Sequence, residues 1–165
     1  MALPRKIRNF NAFIDGRSYF GIATEAKLPQ PKIKTEGHQG SGMDAPVGID
    51  MGMEAMTAEV TLSEWDPTAL KLLGTNARMV LRPAAESSTD TGNDVIIATM
   101  GGLWTGTEFG DLKPGTDVPL KLMLDVRYYR LVINGVEIHE IDIPNGKRVI
   151  GGVDQLRGIR RAMGL

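Results

Sequence analysis

Residues 56–63 alternate without a break. Met56, Ala58, Val60 and Leu62 are apolar, and Thr57, Glu59, Thr61 and Ser63 between them are polar. A period of two puts each set on its own face of an extended strand, one face buried and one wet. On a helix the same residues would scatter around the axis and bury neither set. The pattern returns after Lys113-Pro114-Gly115, in what reads as the longest strand. There Val118, Leu120, Leu122, Leu124, Val126 and Tyr128 share one face, and Lys121, Asp125 and Arg127 share the other. Alternation slips at Tyr128-Tyr129, which points to a bulge or a bend.

The punctuation suits many strands. Twenty glycines and nine prolines in 165 residues imply frequent turns. Residues 10–15 and 18–23 flank Gly16 as a short hairpin, and Asn134-Gly135 is the strongest two-residue hairpin signal in the chain. Its return strand runs from Val136 to Ile143 and closes at Pro144-Asn145-Gly146. Residues 31–38 read as extended, and the glycine-rich stretch 39–52 reads as a long loop. Strands over 77–83 and 94–101 surround a polar loop from Ser87 to Asn93. Asp66 can cap a short helix that starts at Pro67 and ends at Gly74. The tail reads as a helix with Val153, Leu156, Ile159 and Met163 on one stripe and Arg157, Arg160 and Arg161 off it. The fold class is therefore mainly β: an antiparallel barrel or sandwich with one short inner helix and a C-terminal helix. The length fits one domain over 1–165, with an extended loop at about 37–52.

Charge is segregated. The net is −1, yet the first ten residues carry +3 and residues 147–165 carry +4, which leaves −8 between them. Residues 35–70 hold seven acids and no lysine or arginine. Basic ends and an acidic centre let identical copies meet head to tail.

The chemistry of catalysis finds little here. There is no cysteine for a thiol nucleophile, a disulfide or a thiolate zinc site. His38 and His139 are about a hundred residues apart, and neither has a carboxylate or a second histidine at ligand spacing. Gly40-Ser41-Gly42-Met43-Asp44-Ala45 fits a dinucleotide fingerprint in letters only, because Pro46 and Gly48 forbid the helix that must follow. The acids of 35–66 do not follow calcium-loop spacing. Basic residues are not interleaved with aromatics, as a nucleic-acid surface requires. No catalytic residue, metal site or cofactor is assigned.

One signature remains. Gly42-Met43-Asp44-Ala45-Pro46-Val47, Ile49-Asp50-Met51-Gly52 and Glu54-Ala55-Met56 resemble the major tail tube protein of contractile-tailed phages and R-type pyocins. Tyr128-Tyr129, Asn134-Gly135, Glu140-Ile141-Asp142, Asn145-Gly146, Gly152-Val153-Asp154-Gln155-Leu156 and the closing Gly164-Leu165 agree, as does Phe13-Ile14-Asp15-Gly16. The likeness runs from about residue 10 to the end and is weakest across 75–115. It implies a non-enzymatic subunit of the virion tail or a tail-like particle, assembled in the bacterial host cytoplasm. Copies form hexameric rings that stack into a hollow tube inside a contractile sheath. Tape-measure and baseplate or terminator proteins are partners by the same resemblance, and DNA is present only in transit. A type VI-like secretion ring that carries effectors is the alternative, and a monomeric β-sandwich binding module is a third reading.

Three surfaces follow as expectations. Gly42, Met43, Asp44, Ala45, Pro46, Val47, Ile49, Asp50, Met51 and Gly52 would reach the next ring. Thr57, Glu59, Thr61 and Ser63 would line the channel, where acidic groups repel phosphate. The tail residues Leu156, Arg157, Ile159, Arg160, Arg161 and Met163 would meet the subunit's own barrel or a neighbouring copy.

Overall fold

A computed structural model describes residues 3–86 and 92–165. Most of the predicted polar loop, Ser87 to Thr91, lies outside the described residues. In chain order the elements are β1 (Lys6–Ile14), β2 (Arg17–Ser18), β3 (Ala23–Lys27), β4 (Ile33–His38), β5 (Val47–Met53) and β6 (Met56–Leu62). They continue with α1 (Pro67–Leu70), β7 (Asn76–Glu86), β8 (Asn93–Phe109), β9 (Leu120–Ile133), β10 (Val136–Asp142), β11 (Lys147–Ile150), β12 (Val153–Asp154) and α2 (Arg157–Ala162). All pairings are antiparallel among the described residues, so the mainly-β reading holds.

β9 organises the sheet. One of its edges pairs along its whole length with β8, which continues to β7, β1 and β2. Its other edge is divided. Residues 120–126 pair with β6, which carries β3, while residues 128–133 pair with β10, which carries β11 and β12. The division falls at Arg127, where Gly101 sits opposite Tyr128 but Gly102 opposite Val126. This is the slip that the alternation announces, and it moves burial from even positions to odd: Val126 and Tyr129 are buried and Tyr128 is not. A β-carbon at Gly102 would lie 1.9 Å from the Asp125 carbonyl oxygen, so only glycine lets the two backbones come this close.

The sheet curls around a core of alternating side chains. Met56, Ala58, Val60 and Leu62 of β6 are all buried, facing Leu120, Leu122, Leu124 and Val126 of β9 and Trp104 of β8. It does not close into a barrel: the outer edges of β1 and β3 are not paired with each other. Two hairpins behave as the sequence suggests. Asp15-Gly16 and Asn134-Gly135 both have two positive φ values, 50° and 80° in the first pair and 51° and 79° in the second. That geometry matches the twist of the flanking strands.

Four expectations need correction. The stretch 39–52 is not all loop, since residues 47–53 form β5 and pair with β4. The longest strand is β8 with 17 residues, against 14 for β9, because Gly101, Gly102 and Gly106 hide its continuity. The partner of β1 across Gly16 is only two residues long, because the chain turns at Tyr19. The tail helix starts at Arg157, since the bend at Gly151-Gly152 places Val153 on a strand against Ile150.

The pinch at Gly102 is directly testable. Gly102→Ala should lose about 3 kcal/mol or more in urea unfolding, because backbone cannot yield as a side chain does. Gly158→Ala in α2, where the added carbon meets nothing within 4 Å, should be neutral or gain up to about 1 kcal/mol.

Candidate assembly surfaces

β4 and β5 form a two-stranded arm that pairs with no other strand among the described residues. Every residue of β4 is exposed, and so are residues 47–51 of β5. Across the arm Val47 opposes His38 and Ile49 opposes Glu36, so these side chains share a face that Met51 extends. Asp50 opposes Thr35 on the other face, and its carboxylate accepts from the Arg148 guanidinium of β11 at 2.6 Å. Arg148 is buried, whereas Asp50 is on the surface. The Gly52 amide and then Arg148 hold the Asp50 carboxyl below the usual carboxylate range. This contact, together with Met53 packed against the core, turns the Asp50 face towards the body and leaves Val47, Ile49 and Met51 about half exposed on the opposite face. At about 3.3 Å per residue, seven residues of β5 extend about 23 Å. Gly42, Met43, Asp44, Ala45 and Pro46 lie in the turn at the tip, where the Met43 amide donates to Gly40 and its carbonyl accepts from Gln39.

The second surface is the outer face of β3, β6, β8 and β9. Thr57 and Ser63 are exposed and Thr61 half-buried, while Glu59 pairs with Lys121 at 3.1 Å. The hydrogen bond from Lys121 to Glu59, with Glu108 and Glu25 further off, pushes the ammonium pKa up. Around β3, β6 and residues 120–126 of β9, strand register places Glu25, Glu59, Glu108 and Asp125 against Lys27 and Lys121, so this part of the face is net acidic, and the exposed Arg127 and Arg130 lie beyond it.

The tail is divided by its contacts. Asp154 accepts from the Leu156 amide at 3.2 Å and pairs with Arg160. Arg160 also donates to the Gly146 carbonyl at 2.9 Å, which fixes α2 to the 144–146 turn. Leu156 faces a cavity of about 710 Å³ bounded by the base of the arm and Ile141. Val153, Ile159 and Met163 are exposed, as are Arg157 and Arg161. The predicted apolar stripe therefore does not pack as a unit on its own sheet.

Sequence reasoning missed two buried polar centres. Asp66 was legible as a cap, and its carboxylate does accept from the Thr68 amide at 3.1 Å. It also accepts from the Tyr19 hydroxyl at 2.6 Å and pairs with Arg17 at 3.2 Å. Burial raises its pKa, but Tyr19, the Thr68 amide, Arg17 and the Ala69 amide together outweigh burial and hold it low. Burial, and then Asp66, push the Tyr19 hydroxyl up. Arg148 reads as one more tail cation until its place beneath the arm is known.

An unsheltered arm, an acidic outer face and basic ends describe a surface built to meet other protein. The sequence profile described as Phage tail tube protein FII matches residues 4–164. The chain belongs to the phage tail tube protein family. The Tail tube protein of Escherichia phage P2 is 32% identical over 172 aligned positions, covering all of both chains. The Major tail tube protein of Serratia phage KSP20 is 28% identical over 148, covering 88% of this chain and 86% of that one. Phage tail tube proteins are structural parts of the virion tail and not enzymes. In this tail tube protein the signature residues 42–52 coincide with the turn and outer strand of the arm.

The Asp66 centre predicts an acid limb for this tail tube protein. Its folded-state pKa is depressed, so its contribution is present above the unfolded value of about 3.9 and is lost as pH falls through the lower folded value. Asp66→Asn should flatten that limb in urea unfolding followed from pH 6 to pH 2. At neutral pH Asp66→Ala should cost about 2–4 kcal/mol, since it removes a cap and leaves the Tyr19 hydroxyl unpaired.

Proposed function

We propose that this chain is the repeating subunit of the inner tube of a contractile tail. Copies join into hexameric rings, the rings stack, and the genome passes down the bore when the sheath contracts. The observation that carries this reading is the arm. It displays Val47, Ile49 and Met51 about half exposed on its outward face. A two-stranded hairpin has little stability alone, so a second copy is the natural source of the missing cover.

Residues 40–52 lie between rings in this reading, where methionines supply adaptable apolar contact. The outer face with Thr57, Glu59, Thr61 and Ser63 lines the bore. Its net acidic balance supports that role, because a basic lining would hold phosphate by counterion release. The exposed Ile159, Met163, Arg157 and Arg161 meet an adjacent copy. Sheath, tape-measure and baseplate or terminator proteins complete the particle, which is built in the host cytoplasm.

Thr35 opposes Asp50 in the arm, so residues 36–49 can be replaced by Asn-Gly and the strands still close. The shortened protein should keep the circular dichroism and the melting temperature of the full chain. It should form no long tubes in negative-stain micrographs. Tubes of normal length from this variant would refute the arm's role.

A further inference from the structure

The sheet fails to close between β1 and β3. On the outer edge of β1 only Phe13 and Ile14 pair with β2, and Lys6 to Asn11 have no strand beside them. The edge of β3 away from β6 has no strand partner among the described residues. Between these edges the inner face of the sheet opens into an apolar trough of about 340 Å³. Its walls include Ile7, Phe10, Leu28, Ile96, Leu131 and Ile133. Ile7 is more than half exposed and the other five are only partly buried, in contrast to the sealed core around Trp104. All the residues that line the trough are apolar, and Lys27, between Ala26 and Leu28, turns to the outer face beside Glu59.

The arm offers a matching apolar face. Its outward face is apolar at Val47, Ile49 and Met51, with Glu36 beside Ile49. Residues 35–53 contain Glu36, Asp44 and Asp50 and no lysine or arginine. Among the described residues, Asp50 alone of these acids is paired with the body. Among the described residues no strand pairs with the edge of β5 away from β4, with the outer edge of β3, or with that of β1 over Lys6 to Asn11.

We propose that the arm of a second copy seats its Val47–Ile49–Met51 face in the trough between β1 and β3. This rests on the tail tube reading and names the surface that receives the arm. The apolar residues cover the open end of the core, and β5 lies along a free sheet edge, as in strand addition.

The absence of cysteine makes the seat testable by cross-linking. Ile49→Cys is placed in one preparation and Ala26→Cys, on β3 beside the trough, in another that carries a tag of different mass. The two are mixed, assembled and mildly oxidised, with Leu28→Cys as a second trough position. A mixed disulfide dimer, found only when arm and trough variants are combined, is the expected result. In parallel, Ile49→Asp, which places a charge in the apolar seat, should raise the concentration needed for tube formation about tenfold. Tubes that form with neither trough variant linked to the arm overturn the seat and leave the tail tube reading intact. A mixed dimer without tubes supports the seat and overturns the tube. Neither tubes nor dimer at any concentration overturns both.

Discussion

The structure depends on one strand being shared. β9 gives one full edge to β8 and splits the other between β6 and β10, and that split requires the sheet to change register at Arg127. The change is possible because Gly102 lets β8 come within contact of the Asp125 carbonyl. From the fork, one limb wraps the core through β6 and β3. The other carries β11 and Arg148 out to the base of the arm. The position of the most exposed element is thus set by backbone geometry in the most buried one.

Two polar centres fix the ends of this framework by different physics. Asp66 is buried and collects donors from a hydroxyl, backbone amides and a guanidinium, so it holds α1 to the β2–Tyr19 turn through hydrogen bonds in a low-dielectric setting. Arg148 is the reverse case, a buried cation whose anion Asp50 lies at the surface. The first locks parts of the core together. The second orients a lever that has no core of its own.

The sequence was informative wherever burial and backbone demand coincided. The alternation in β6 is legible because one face is sealed and the other wet. The turns at Asp15-Gly16 and Asn134-Gly135 are legible because only a few residue pairs accept two positive φ values. β5 hides as a loop because both of its faces are exposed in the single subunit, so no contrast of burial marks it. The extent of β8 is masked by glycines that serve close approach rather than turns. The trough has no sequence signal of its own, since β1, β3, β7, β8 and β9 each contribute to it from distant parts of the chain. The tail was misread because spacing alone does not separate a β12–turn–α2 path from a longer helix.

The tie between Asp50 and Arg148 bears on cooperativity. A lever whose direction is set before any encounter loses less freedom on docking than a floppy segment does. In the proposed seat, once two subunits touch through their bodies, an arm already reaching outward would meet its target as an intramolecular event, at a high effective concentration. A pair in solution gains only one of these contacts, whereas a subunit arriving at a growing end gains both together. In the assembly proposed above, isolated pairs would therefore be poorly populated relative to long polymers, and a fixed hairpin angle would become a preference for extension over initiation.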